Sequence, residues 1–344
     1  MRIAQVSPLW IPTPPYTYGG TELVVSWLTE ELVKRGHQVT LFATGDAKTS
    51  ARLVPIWQKS LWRAKLSVPH AVYGLLYQKL IEMQNEFDII HDHCEFYTAP
   101  FSPFLKPPII STLHHPIYEE MTVLFKRFSK INYVTVSKNQ KKTSPGINNA
   151  KTIYHGLPID KYIFNPEPKD YLLWLSKIIP TKGLARAIEI AIKSGEKLII
   201  SGVIPKDYQD YFDYRIAPLI DGKQIQFVGA ADFNKKIELF KNAKAFIFPV
   251  RRPEPFGLVV IESMACGTPV LTFKEGSMPE IIKDGKTGFL LNDQEEMIEA
   301  IKKINQIDRL ACRKYVERKF SLKKMVNKYE ALYNSILKDD KKNK

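Results

Sequence analysis

Short runs of apolar residues recur along this sequence with longer amphipathic stretches between them, a rhythm that a parallel sheet wrapped by helices accommodates. Strands are expected at Ile3–Ser7, Val39–Thr44, Asp88–His91, Ile109–Leu113, Tyr133–Ser137 and Thr152–Tyr154. A second series follows at Leu172–Leu175, Leu198–Gly202, Ile225–Val228, Ala245–Phe248, Val270–Phe273 and Phe289–Leu291. Most are solidly apolar rather than alternating, as strands covered on both faces must be. Between them, Thr21–Arg35 places Leu23, Val24, Trp27, Leu28 and Leu32 on one side and Glu30, Glu31, Lys34 and Arg35 on the other, the pattern of a surface helix. Leu184–Lys193 and Lys235–Lys241 behave likewise. The expected class is α/β, with two Rossmann-like doubly wound domains facing each other across a cleft.

A chain of 344 residues exceeds one core of roughly 100–200 residues, so two domains are expected. The stretch His155–Asp170 holds three prolines and no sustained period, and it reads as the connection between them. This gives a first domain over 1–160, a second over 161–320, and a terminal segment over 321–344. In that segment Leu322–Ile336 reads as a helix returning toward the first domain and Lys338–Lys344 as a frayed polar tail. Ligands of such sheets bind outside the carboxyl ends of the strands, so the residues just past each strand are the ones to inspect.

With 44% hydrophobic and 25% charged residues, the chain is globular rather than disordered. No apolar run reaches the ~18 residues that span a bilayer. The opening MRIAQVSPLW has neither the apolar core nor the cleavage site of a secretory leader, so a cytoplasmic location is expected. Cys94, Cys266 and Cys312 are scattered and in no metal spacing, which suits a reducing compartment. The net charge of +14 is uneven: residues 47–81 carry six basic and no acidic side chains, residues 121–159 seven and none. Such blocks suit nucleic acid, an anionic membrane surface or phosphorylated small molecules, and equally a solvated face. Charge alone does not choose among these.

Several groups could carry chemistry. Gly19-Gly20-Thr21-Glu22 follows the first strand and opens a helix. Backbone amides there can approach an anion, though the same residues also make an ordinary turn with Glu22 complementing the helix dipole. The pattern is not G-x-G-x-x-G, so a nicotinamide or flavin site is not supported. His91-Asp92-His93 and His114-His115 end two strands; imidazoles there can bind sugar hydroxyls or move a proton, or simply line an edge. No acid or cysteine at a supporting spacing accompanies them, so no metal is expected. Lys177 and Lys182 share one strand-to-helix turn and could converge on a diphosphate. The turn is not a phosphate-binding G-x-x-x-x-G-K-[ST] loop.

The most informative stretch runs Phe248-Pro-Val-Arg-Arg-Pro-Glu254-Pro-Phe-Gly257-Leu-Val-Val-Ile-Glu262-Ser-Met-Ala-Cys-Gly267-Thr-Pro-Val270. A proline-stiffened loop presents Glu254. Gly257 starts a helix and Gly267 closes it. Glu262 lies on that otherwise apolar helix, where a buried carboxylate needs partners such as ribose hydroxyls. Amides at Phe256, Gly257 and Leu258 would meet phosphates. Ser277-Met-Pro-Glu280 then reads as a capping box.

On these residues the sequence resembles glycosyltransferase family 4, the group 1 glycosyltransferases with the GT-B fold. The resemblance spans nearly the whole chain: Gly19-Gly20-Thr21-Glu22, Val39-Thr-Leu-Phe42, Thr112-Leu-His114, Tyr154-His-Gly156, Glu254-x7-Glu262 with Pro255-Phe-Gly257, and Gly267-Thr-Pro-Val270. It implies transfer of a sugar from a nucleotide donor, UDP-glucose for example, with retention of configuration and no metal. It further implies that Glu254 bonds donor-sugar hydroxyls, Glu262 the ribose, and the amides of Phe256, Gly257 and Leu258 the sugar and phosphates. Gly20, with Gly19, would line the phosphates, and His114 would contact the sugar at its reacting end. One departure is plain: the family places Gly-Arg and then Lys where this chain has Ser176-Lys177 and then Lys182. Lysine keeps the charge and loses the bidentate fork.

The acceptor is not legible. A small molecule, a glycan and a lipid-linked acceptor remain open, and the basic blocks with Trp57, Trp62, Tyr73 and Tyr77 beside the first allow peripheral contact with an anionic membrane. Two other readings compete. A non-catalytic nucleic-acid-binding protein would explain the charge but leaves Glu254–Glu262 unexplained and has no signature of its own, so no nucleic-acid partner is expected. A GT-B sugar-nucleotide epimerase would consume donor without any acceptor.

Overall fold

The computed structural model describes residues 1–144, 146–147 and 150–342. The chain divides into two compact units, Met1–Gly156 with Leu322–Lys344, and Leu157–Ser321. The division falls before Leu157 rather than after residue 160, because Leu157 already belongs to the second unit. Its amide donates to Phe320 O at 2.8 Å and it bridges to Ser321.

The first unit holds β1 Arg2–Val6, β2 Gln38–Ala43, β3 Arg52–Pro55, β4 Ile89–Asp92, β5 Ile109–Leu113, β6 Asn132–Thr135 and β7 Lys151–Thr152. They form one sheet in the order β3-β2-β1-β4-β5-β6-β7, with every pair parallel. Ile3 stands opposite Val39 on one side and Ile89 on the other. The central strands β1, β2, β4 and β5 are buried along almost their whole length, polar residues included, as strands covered on both faces are. The helix Gly20–Lys34 buries Val24, Val25, Leu28 and Leu32, the stripe its sequence spacing announces.

Two elements depart from expectation. β3 is an edge strand of four residues ending on Pro55, too short and too exposed to show a pattern. Inside the first basic block, Ala71–Met83 is a helix that buries Val72, Tyr73, Leu76, Tyr77, Leu80 and Met83. Tyr73 and Tyr77 are therefore core residues, 3% and 0% exposed, and not companions of a surface basic patch.

The last helix, Leu322–Lys342, packs into the first unit. It buries Val326, Tyr329 and Tyr333, and its Glu330 pairs with Arg35 at 2.5 Å and His37 at 2.9 Å. It continues past Lys338, where a frayed tail was expected, since exposed lysines favour a helix even without tertiary partners. Residues 343 and 344 lie outside the described residues.

The second unit holds β8 Leu172–Leu175, β9 Leu198–Ser201, β10 Ile225–Phe227, β11 Ala245–Phe248, β12 Val270–Phe273 and β13 Gly288–Leu291. The order is β10-β9-β8-β11-β12-β13, again parallel throughout. The segment expected to be a connection is packed into this unit. Tyr162 is 1% exposed, and the Asn165 carbonyl accepts from Arg309 Nε at 2.8 Å. In each sheet the strand order reverses once, between β1 and β4 and between β8 and β11. Doubly wound sheets bind ligands at such reversals.

Candidate active site

The residues singled out in the second half gather at the β8/β11 reversal. The loop after β8 is held down by Ser176 N to Ser201 O at 3.2 Å, Ile178 N to Val203 O at 2.9 Å, and Trp174 Nε1 to Lys182 O at 3.2 Å. From it, Lys182 Nζ reaches Glu254 Oε2 at 2.5 Å, with side chains 22% and 19% exposed. Burial and the like charge of Lys182 pull Lys177 below the usual lysine range, with Asp207 opposing.

Glu254 is set by the loop on its C-terminal side. Its carbonyl accepts from Ser277 N at 3.2 Å, and Ser277 Oγ donates to Phe256 O at 2.8 Å. The expected capping box does not form, because that hydroxyl fastens the loop instead of capping Met278–Ile281. Gly257 precedes the helix Leu258–Ala265 with φ +83. A Cβ there would sit 2.7 Å from Met278 Cε, so the position requires glycine on two counts. The first-turn amides, which have no intrahelical acceptor, are offered from a loop with no bulk in the way.

Glu262 sits on that helix at 3% exposure. Its Oε1 accepts from Tyr162 Oη at 2.8 Å and from Lys236 Nζ. Burial, and then the carboxylate itself, push the Tyr162 phenol far above its ordinary range, so it stays a donor. A buried carboxylate did need partners; the protein supplies two of them. Glu254 and Glu262 are thus each held by a different lysine.

Lys236 and Tyr162 escaped sequence reasoning. Lys236 lies on the helix Phe233–Asn242 among charged neighbours and is only 9% exposed. Its side chain is turned inward by the carboxylate it meets. Tyr162 lies in the proline-rich stretch that has no period to mark a buried position.

In the first unit the corresponding residues surround the β1/β4 reversal. Gly19 has φ +148, and a Cβ on it would be 2.8 Å from Pro15 Cβ and 2.9 Å from Glu22 Oε2. Gly20 opens the helix. Glu22 is buried, not a solvated complement to the helix dipole. Burial pushes its carboxyl up to about 7, against its own backbone hydrogen bond and His115.

Past β4 and β5 the histidines form one chain. His91 bonds Tyr333 Oη at 2.6 Å and Thr112 Oγ1 at 2.8 Å. His93 Nε2 meets Gln5 Oε1 at 2.9 Å, and His93 Nδ1 meets His114 Nε2 at 2.9 Å. His114 stacks on His155 with centroids 5.2 Å apart. Burial holds all four well below the usual histidine range, His155 at about 3, so the rings are neutral. The tautomers follow from the partners. A carboxamide oxygen only accepts, so His93 Nε2 carries its proton and His93 Nδ1 a lone pair. That lone pair takes the Nε2 proton of His114. His114 Nδ1 is left as an acceptor, buried and without a hydrogen-bond partner.

Asp92 and Glu95 build the loop after β4. Asp92 accepts from Cys94 N at 3.0 Å, Glu95 N at 3.1 Å, Ser111 Oγ at 2.8 Å and from Thr98 Oγ1, a structural role. Among the described residues no group of three or more histidine, cysteine or acidic side chains is placed to hold a metal ion. Nor is any helix among them long and apolar enough to cross a membrane.

Comparison with known proteins now bears on both units. Residues 159–319 match the family described as glycosyl transferases group 1, and residues 18–148 match glycosyltransferase family 4. An uncharacterized glycosyltransferase of Methanocaldococcus jannaschii is 25% identical over 337 residues, covering 84% of each chain. Among solved structures, sucrose-phosphate synthase from Thermosynechococcus elongatus aligns with a TM-score of 0.82 at 19% identity, over 98% of this chain and 99% of that one. Anabaena HepE, solved with UDP and glucose, aligns with a TM-score of 0.79 at 17% identity, over 97% and 100%. The chain belongs to the group 1 glycosyltransferases of family 4, enzymes of the GT-B fold, and the work of its residues is glycosyl transfer.

Proposed function

We propose that this enzyme transfers a hexosyl group from a nucleotide diphosphate sugar, UDP-glucose being the first donor to test, with retention of configuration and without a metal. The observation that carries the reading is the pairing of Lys182 with Glu254 at the β8/β11 reversal, with Lys177 near enough to feel the charge of Lys182. The complex of Anabaena HepE with UDP and glucose supports the choice of donor. On binding, the diphosphate takes the place of Glu254 beside Lys182, and the released carboxylate accepts hydroxyls of the sugar. Glu262, held by Lys236 and Tyr162, binds the ribose. The amides of Phe256, Gly257 and Leu258, and those at Gly19 and Gly20, meet the sugar and the phosphates, and His114 accepts a hydroxyl at the reacting end.

As the bond from C1 to the diphosphate breaks and one to the acceptor oxygen forms on the same face, charge grows on the departing diphosphate, whose oxygen takes the proton of the acceptor hydroxyl. Preorganised cations and amides stabilise that charge. Thermal-shift screening against UDP- and GDP-sugars tests the reading. A ligand at 100 times its dissociation constant adds about 2.7 kcal/mol, and no stabilisation by any of these sugars sinks it. UDP release that depends on added acceptor separates transfer from epimerisation.

Peripheral contact with an anionic membrane is part of the proposal. It is supported by the helix Met121–Arg127, where Lys126 and Arg127 accompany Val123 at 70% exposure. Salt-sensitive cosedimentation with phosphatidylserine vesicles checks it, and no cosedimentation at low salt excludes it.

A further inference from the structure

Beside the histidine chain, the first unit holds a solvent-open pocket of about 580 Å³ walled by Trp10, Phe96, Tyr97 and Tyr118, with Glu95, Glu120 and His115 among its lining. The size falls within the roughly 300–1,000 Å³ of small-molecule sites. Among its described lining residues there is no lysine or arginine, in a chain whose net charge is +14. The aromatic wall is held in place: Tyr97 stacks on Tyr73 with centroids 4.1 Å apart, Phe96 lies tilted against it at 4.5 Å, and its hydroxyl bonds His70 Nδ1 at 2.8 Å.

Glu95 is the unusual residue. It is 4% exposed and sits at φ +57, a left-handed conformation that side-chain-bearing residues avoid. Such strain persists only where surrounding bonds impose it. Here they come from the end of β5: His114 N, His115 N at 2.9 Å and His115 Nδ1 at 3.1 Å. All three go to Oε1, which leaves Oε2 for a ligand.

We propose that this cavity receives the sugar acceptor, and that the acceptor is an uncharged, hydroxyl-bearing ring such as a pyranose, not a phosphorylated or carboxylated one. The C–H face of the ring lies on the Trp10 and Tyr97 side of the wall, and one ring hydroxyl donates to Glu95 Oε2. An anionic acceptor would meet two carboxylates with neither lysine nor arginine to offset them, and the one imidazole beside them, His115, is already bonded to Glu95. The inference rests on the transferase reading above.

The test titrates the full chain with 4-nitrophenyl β-D-glucopyranoside and 4-nitrophenyl β-D-glucuronide by saturation-transfer NMR. These probes differ only in one carboxylate. The glucoside is expected to bind at least roughly tenfold more tightly, the scale of a like-charge clash. Trp10→Ala, and Tyr118→Ser at a half-exposed position that the fold does not need, should each weaken the glucoside several-fold. Glu95→Gln should narrow the gap between the two probes. Equal or tighter glucuronide binding, no glucoside binding, or glucoside binding unmoved by both wall variants would overturn the proposal. A UDP titration on the same samples separates the two claims. Glucoside binding without UDP binding defeats the donor assignment alone, and the reverse defeats this cavity alone.

Discussion

Two lysine–carboxylate pairs, Lys182–Glu254 and Lys236–Glu262, differ in burial, and that difference decides what each substitution does. Lys236–Glu262 is 11% and 4% exposed, so removing one partner leaves an uncompensated charge in the interior. Lys236→Met is expected to lower stability by about 3–5 kcal/mol, measured by urea denaturation; a loss below ~1 kcal/mol would show that Glu262 does not depend on it. Lys182–Glu254 is wetter, 22% and 19% exposed, and under the proposed function the donor diphosphate displaces it. Lys182→Ala should change stability by less than ~1 kcal/mol while weakening donor binding markedly in calorimetry. Unchanged donor affinity would refute the role given to Lys182. The contrast separates a residue that holds the site from one that holds the substrate.

At the scale of elements, the turn at Gly257 joins the Glu254 loop to the Leu258–Ala265 helix. Gly257→Ala forces a left-handed residue, worth roughly 1–2 kcal/mol, and displaces Met278. The variant should melt several degrees lower and bind donor less well, by differential scanning calorimetry and donor titration. Normal donor affinity in a destabilised protein would show that the amides there are not used. How much of this was readable differs by element. β5, β8, β11 and β12 stand where their apolar runs place them, because a strand covered on both faces writes its burial into every residue. β3 could not be read, being a short edge strand. Nor could the helix Ala71–Met83, because lysines and arginines around it draw attention to charge. In the site, Glu254, Lys182 and Gly257 were legible from spacing and turn chemistry. Tyr162 and Lys236 were not, since each is recruited by a tertiary partner that no local pattern encodes.

At the scale of the whole molecule, all seven histidines lie between residues 37 and 155, so acid acts on the two units unequally. His91, His93, His114 and His155 have folded values below the ordinary 6.5. As pH falls through 6.5 the unfolded chain takes up protons that the folded one refuses, and stability present above that pH is lost. Glu22 runs the other way. Its folded value of about 7 exceeds 4.5, so its contribution is full below 4.5 and fades as pH rises through 7. Asp92, raised by burial from 3.8 to about 6, acts in the same sense as Glu22, and two carboxyls against four imidazoles leave a net loss on acidification. Calorimetry from about pH 7.5 to about 5 should show the first unit's transition falling faster than the second's; parallel shifts would contradict this. Deleting residues 322–344 should likewise unfold the first unit and spare the second, because Tyr329 and Tyr333 leave Thr112 and His91. That same closing helix sets an order of synthesis. Residues 157–321 emerge from the ribosome before it does, roughly 10–30 s at 5–20 residues per second. Through that interval the nascent first unit displays an open apolar seat while the second is free to fold, so chaperone engagement is expected to concentrate on the half made first.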